Sequence, residues 1–280
     1  MPSRRLPPFT GLGTTSCIRL EHRAPAALSR PERKGYDLGP KMTASPLLPV
    51  NGFFEPGPAA EPVAASVVAS ALRMGICPTE RAFDQFLPLE LRAVSLQHWT
   101  PLFVAIRVAA WLDELQVRTV VDIGSGAGKF CVAVALAGKA HPVGIEHRAR
   151  LIVAARDLAR AFDVEERATF IDGTFGEIQV PDADAYYLYN PFGENLFGCE
   201  DHLDRDVELG DQRYRRDVAS AEHLLRSARV GTVLLTYNGF GGLVPTSYEE
   251  VRMDGDMPDL LRIWRKTNRT DHRDRPGART

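Results

Sequence analysis

The stretch Val120-Val121-Asp122-Ile123-Gly124-Ser125-Gly126-Ala127-Gly128-Lys129-Phe130 decides the fold of this chain. A β-branched apolar run, Thr119 to Ile123, feeds a loop with glycine at every second place. The apolar, alanine-rich stretch Ala127 to Ala137 follows without a breaker. The pattern predicts a strand, a glycine turn and a buried helix. Gly124 and Gly126 allow a sharp turn and a close approach of backbone to a ligand, and Gly128 removes bulk where the helix leaves the strand. A Walker phosphate loop is excluded, because the places it needs for glycine and for Ser or Thr hold Ile123 and Phe130. The dinucleotide fingerprint is weakened, since its third glycine is Lys129, and NAD stays open.

Working outward, Pro142-Val143-Gly144-Ile145-Glu146 reads as a second strand ending in a carboxylate about 20 residues past the glycines, where a two-oxygen acceptor would hold a ribose diol. A glycine turn followed by such an acid is a nucleoside-binding pair. With these residues in view, Thr100 to Trp264 resembles the class I S-adenosylmethionine-dependent methyltransferases, whose first motif is similar to VVDIGSGAGKF and whose second strand ends in an acid such as Glu146.

The resemblance implies an α/β fold: a Rossmann-like, mostly parallel seven-stranded sheet with an antiparallel C-terminal hairpin, preceded here by an N-terminal helical appendage. It implies S-adenosylmethionine as cofactor and methyl transfer as the reaction. Asp122, Gly124, Gly126 and Gly128 would surround the methionine part, Glu146 the ribose hydroxyls and Asp172 the adenine amino group. Ser125, His147, Gly173 and Asn190 complete the expected cofactor-binding set. Asn190, Pro191 and Phe192 would position the acceptor. In members that methylate amino groups this loop often reads Asn/Asp-Pro-Pro-aromatic. Here Phe192 replaces the second proline and Gly193 the aromatic. The loop looks as much like the Asn-Asn-Phe of a lysine methyltransferase family, so an amino nitrogen is the acceptor expected.

Composition sets the bounds. Hydrophobic content of 44% with 25% charged residues is ordinary for a globular chain, and no apolar run approaches the roughly 18 residues of a membrane span. Cys17, Cys77, Cys131 and Cys199 form no C-x-x-C pair, which supports neither a disulfide framework nor a zinc site. A reducing, cytoplasmic setting is expected. Residues 1–41 carry eight Lys/Arg against three Asp/Glu, so the rest of the chain is acidic. That balance favours a small-molecule or protein acceptor over nucleic acid bound across a broad surface.

In chain order, residues 1–60 are rich in Pro, Gly, Arg and Ser and read as a disordered leader, with Met42 a candidate translation start. Residues 61–97 read as a helical appendage, with helices from Pro62 to Met74 and from Thr79 to Leu89, the second capped by Thr79. Such an appendage either covers the pocket or packs on the sheet. Residues 98–266 form the main domain. Thr100 and Pro101 open a helix that runs to Leu115, and the preceding His98 and Trp99 read as a packing staple ahead of a ligand contact. Leu151 to Phe162 reads as a helix, Ala168 to Ile171 as a strand ending at Asp172-Gly173, Asp184 to Tyr189 as a fourth strand and Thr232 to Tyr237 as a fifth. Glu194 reads as a surface residue before it reads as a proton acceptor. Leu196 to Gly210 reads as a lid or substrate loop, whose His202, Asp204 and Asp206 lack metal-ligand spacing. Tyr248 to Met253 and Leu260 to Lys266 read as the final hairpin, and residues 267–280 as a disordered tail. No metal is expected. Two other readings stay open: a nicotinamide-dependent oxidoreductase, and a cofactor-binding module without catalysis.

Overall fold

A computed structural model describes residues 62–198, 202–204, 207–255 and 260–269. The expected leader, Met42, Cys17, Cys199, Asp206 and most of the expected tail lie outside them. Among the described residues, no helix is long and apolar enough to cross a membrane.

The run Thr119–Ile123 forms β1, and four of its five residues are buried because both faces of the sheet are covered. Around it lie β2 (His141–Glu146), β3 (Thr169–Asp172), β4 (Ala185–Leu188), β5 (Val233–Tyr237), β6 (Tyr248–Asp254) and β7 (Leu261–Lys266), in the order β3-β2-β1-β4-β5-β7-β6. The first five strands are parallel, while β7 pairs antiparallel with β5 and with β6. This is the predicted seven-stranded sheet with its C-terminal hairpin. The chain reverses its direction of travel between β1 and β4, so a crevice opens there at the carboxyl ends of the strands.

Side chains alternate across the sheet. Val120, Tyr187 and Leu235 join one apolar core, and Val121, Tyr186 and Leu234 join the other. The first core is covered by α4 (Leu102–Glu114), α5 (Lys129–Ala137) and α6 (Ala149–Ala161), the second by α7 (Asp211–Ser227). Lys129 through Leu136 are all buried, as the unbroken apolar run after the glycines predicts. Gly128 sits at φ +77, and a Cβ there would fall 2.7 Å from Ala155 Cβ and 2.8 Å from the Phe170 ring. Gly128→Ala is therefore expected to lower stability by about 2 kcal/mol, combining left-handed backbone strain with core crowding, and to lower Tm by several degrees. Thermal melting of the variant checks this, and an unchanged Tm would refute it.

The N-terminal region departs from expectation in three ways. Its helices are α1 (Ala65–Arg73), α2 (Glu80–Asp84) and α3 (Leu89–His98), so the second predicted helix is shorter than expected and α3 is a further helix, not predicted, that begins where it was expected to end. Pro88 marks the break: it has no N–H to continue α2 and stands instead as the N-cap of α3. Thr79 does cap α2, accepting from Ala82 N at 3.2 Å. Thr100, by contrast, does not cap α4. Its hydroxyl lies 2.9 Å from the Tyr187 hydroxyl, which is buried and needs a partner, and the free Leu102 N–H is taken instead by Glu80 Oε1 at 2.8 Å. Finally, Val68, Leu72, Phe83, Leu87 and Leu91 belong to the same core as α4 and α5. The three helices pack against the sheet's own cover, and only the end of α3 reaches the crevice.

Candidate active site

The glycine turn is shaped by the neighbouring strand. Gly124 N and Ser125 N both donate to Ile145 O, at 2.9 and 3.0 Å, which curls the loop back toward the end of β2. Glu146, the last residue of β2, then closes the turn: its Oε2 accepts from Gly126 N at 3.1 Å, while Oε1 accepts from His147 N at 3.0 Å and Arg148 N at 2.9 Å. The carboxylate is buried, with one oxygen directed at the turn and the other at its own following loop. The expected pairing of glycines and acid is thus a direct contact. Three backbone N–H groups thus satisfy the buried carboxylate, and the Arg148 guanidinium stands 3.7 Å from its Oε1.

The room made by two of the glycines is used by the protein. A Cβ on Gly126 would collide with the Trp99 indole, and one on Gly124 would fall 3.0 Å from Pro191 Cβ. Trp99 from the α3–α4 junction and Pro191 from the loop after β4 therefore cover the turn from two sides. The packing expected of Trp99 is present, since it is buried in the first core, and both His98 and Trp99 also line the crevice. Nothing in their local sequence marks this; the signal lies in the sheet order, which brings the segment before β1 over the turn. Gly128 faces away from the crevice into the core, and is a packing residue.

Two cavities occupy the crevice, of about 130 Å³ and about 50 Å³. Gly124, Glu146, His147 and Pro191 line both. The larger adds Gly126, His98, Trp99, Tyr189, Asn190 and Phe197. The smaller reaches down to Gly173, Phe175 and Phe192. A third recess, between Trp99, Asp122, Ser125 and Tyr189, opens above the end of β1. Asp172 is exposed at the end of β3 and lines none of these spaces, so of the predicted Asp172-Gly173 pair only the glycine faces the crevice. Asn190 is exposed at the mouth, at φ +38, with its amide packed over Gly193. Phe192 turns inward, buried, and stacks on Phe175 at 5.8 Å between ring centres. It forms the floor of the smaller cavity.

Burial sets the protonation of four groups here. It pushes the Asp122 carboxyl up to about 7, helped by the nearby charge of Glu146 and opposed by the Cys131 thiol, which donates to Asp122 at 3.6 Å. The Cys131 thiol itself is pushed well above its ordinary value. His98 and His147 are both lowered, chiefly by burial, and stand as neutral imidazoles at neutral pH. His147 Nε2 and Ser125 Oγ are buried without a hydrogen-bond partner, which leaves polar atoms available for a ligand on the crevice wall.

Glu194 corrects another expectation. Its side chain is only 13% exposed and pairs with Arg148 at 2.7 Å, so it is no surface glutamate. Arg148, which the sequence reading passed over, has 8% of its side chain exposed and is the main cation of the crevice wall. Asp204 pairs with Arg150 at 2.6 Å. Among the described residues, no group of three or more His, Cys, Asp or Glu side chains is placed to hold a metal ion.

No family model matches the chain. A ribosomal protein L11 methyltransferase from Sodalis glossinidius (strain morsitans) is 43% identical over 61 residues, which is 21% of this chain and 21% of that one. The chain thus matches about a fifth of that relative's length. Among solved structures, an RNA methyltransferase from Salinibacter ruber in complex with S-adenosyl-L-homocysteine is 21% identical, covering 62% of this chain and 97% of that one with a TM-score of 0.45. An O-methyltransferase from Bacillus cereus in complex with the same ligand is 11% identical, covering 71% and 97% with a TM-score of 0.47. The strand order and the antiparallel β7 make this the Rossmann-like, mostly parallel seven-stranded fold that the sequence resemblance implied.

Proposed function

We propose that this protein binds S-adenosylmethionine in the β1/β4 crevice and transfers its methyl group to an amino nitrogen. The observation that carries the reading is the 3.1 Å bond from Gly126 N to Glu146 Oε2, which fixes a nucleoside-binding acid against the glycine turn. The residues present suit such a cofactor. Glu146 keeps acceptor capacity on Oε2 for a ribose hydroxyl, and Ser125 Oγ and His147 Nε2 are buried polar atoms in need of partners. Gly173, Phe175 and Phe192 offer an apolar floor for a base, and Asp122 offers a carboxyl in the recess beside the turn for a cationic amino acid moiety.

When bound, the cofactor supplies a methyl group already activated on a sulfonium, so the chain's task is to align a nucleophile and exclude water. Trp99, Tyr189 and Phe197 wall the larger cavity with rings, and Asn190 stands at its mouth with a side-chain amide able to orient an amine. His98 and His147, both neutral through burial, are the imidazoles on that wall, and one of them would take the proton that an ammonium acceptor must lose before attack.

Calorimetric titration of the full chain with S-adenosylmethionine, S-adenosylhomocysteine and NADH tests the reading. The first two should bind, and Glu146→Ala should weaken them by roughly 10- to 100-fold, as expected for the loss of one charge-assisted contact together with its hold on the turn. Binding of NADH alone would overturn the proposal in favour of a nicotinamide enzyme. Cofactor binding without transfer of labelled methyl to any amine acceptor would reduce the protein to a binding module.

A further inference from the structure

The two cavities of the crevice share six lining residues, and two of these form an ion pair. Arg148 and Glu194 line both, and Arg148 Nη2 lies 2.7 Å from Glu194 Oε2. The pair is held from both ends. Arg148 Nη1 lies 3.7 Å from Glu146 Oε1, and Glu194 Oε1 accepts from Leu203 N at 2.6 Å. The hold is incomplete at one atom, because Arg148 Nε is buried with no hydrogen-bond partner and stands 3.7 Å from Asp204 Oδ2. A buried guanidinium N–H left unsatisfied is a group that gains by moving to water or to a ligand oxygen.

Size makes the pair consequential. Pockets that bury a ligand of nucleoside size run to roughly 300–1,000 Å³, whereas the two spaces here offer about 130 and about 50 Å³. A nucleoside sulfonium filling both spaces, from the glycine turn past Glu146 to the Phe175 and Phe192 floor, would lie against the Arg148 and Glu194 side chains that line both. Glu194 also sits in the same short loop as Asn190, Pro191 and Phe192, within the 3-10 turn Gly193–Leu196.

We propose that the Arg148–Glu194 ion pair is a gate and positioning pair: it must open to admit the cofactor, and its opening releases Glu194 so that the acceptor loop takes its working position only once the cofactor is in place. The inference rests on the cofactor reading above. It makes the apparent affinity equal to the intrinsic one reduced by the fraction of molecules with the pair open. Neither side chain is a catalytic residue in this scheme, since each acts through the space it vacates.

The test is stopped-flow association of S-adenosylhomocysteine with the full chain, followed by tryptophan fluorescence because Trp99 lines the crevice, with calorimetry for affinity. Three variants are compared: Glu194→Gln, Arg148→Gln and the double variant. Each single variant should associate about 10-fold faster and bind correspondingly more tightly, and the double variant should gain no more than either alone. Glu194→Gln is nearly isosteric and keeps the acceptor for Leu203 N, so it carries the test even if Arg148→Gln folds poorly. Unchanged or slower association in Glu194→Gln, with wild-type binding intact, would overturn the gate and leave the cofactor reading standing. Weaker binding in Arg148→Gln together with unchanged Glu194→Gln would make Arg148 a cofactor contact. Absence of binding by the wild type and all variants would overturn the cofactor reading itself.

Discussion

Lys129→Ala is expected to destabilise the protein by about 3–5 kcal/mol, the range for removing one partner of a buried ion pair. Its side chain is 1% exposed, and Nζ lies 2.5 Å from Glu80 Oε2, 2.8 Å from Asp84 Oδ1 and 2.8 Å from Ser95 Oγ. One cation at the start of α5 thereby holds α2 and α3, and through Glu80 Oε1 it also steadies the first turn of α4. Truncation leaves the Asp84 carboxylate, only 9% exposed, with no cation beside it. Part of the loss should be recovered in Lys129→Met combined with Asp84→Leu, because the two most buried charges are then replaced by apolar groups, leaving Glu80, 27% exposed, to turn to water. Urea denaturation of the two variants and the wild type measures this. A loss below about 1 kcal/mol for Lys129→Ala would mean that the cluster behaves as a surface pair.

Lys129 also shows where sequence reading stops. Along the chain it is the residue that spoils a third-glycine place, and its effect there is only to weaken a motif. Its partners stand more than 30 residues upstream in helices whose sequence gives no hint of a shared cation. The strands, by contrast, were plain in the sequence. Thr119–Ile123 matches β1 residue for residue, and the others agree to within two residues at each end; for β1, β4 and β5 the reason is that short apolar runs buried on both faces admit few other arrangements. The helix α3 was missed for a local reason: only Leu91 and Ser95 are buried along it, so it carries almost no apolar period to read.

The crevice divides in the same way. Glu146 and the glycines could be paired from their spacing, since the acid and the turn sit on adjacent strands of one βαβ unit. Arg148 and Glu194 lie 46 residues apart, and only the placing of β4 beside β1 brings them together. Trp99 and His98 belong to the same class of residue, as they reach the site from a segment that precedes the sheet altogether.

Asp122 yields the second large effect, and its sign runs against the usual carboxylate. Burial raises the folded-state value from 3.8 to about 7, so between these limits the native protein holds a proton that the unfolded chain has released. Stability is then fully present below about pH 4 and falls as pH rises through 7, by about 4 kcal/mol in all. Other groups titrate over the same range, so the informative quantity is the difference between wild type and Asp122→Asn. The variant should gain on the wild type by several kcal/mol between pH 4.5 and pH 8, measured by urea midpoints. A constant difference would show that Asp122 is ionised throughout. The same proton reports on function. Asp122 opens onto the recess beside the glycine turn, where a cationic amino acid moiety would favour the charged carboxylate and expel the proton. Binding of S-adenosylmethionine at pH 6.5 should therefore release a fraction of a proton, seen as a binding enthalpy that changes with the ionisation enthalpy of the buffer, and Asp122→Asn should abolish that dependence. A buffer-independent enthalpy in the wild type would place the cationic end of the cofactor away from β1.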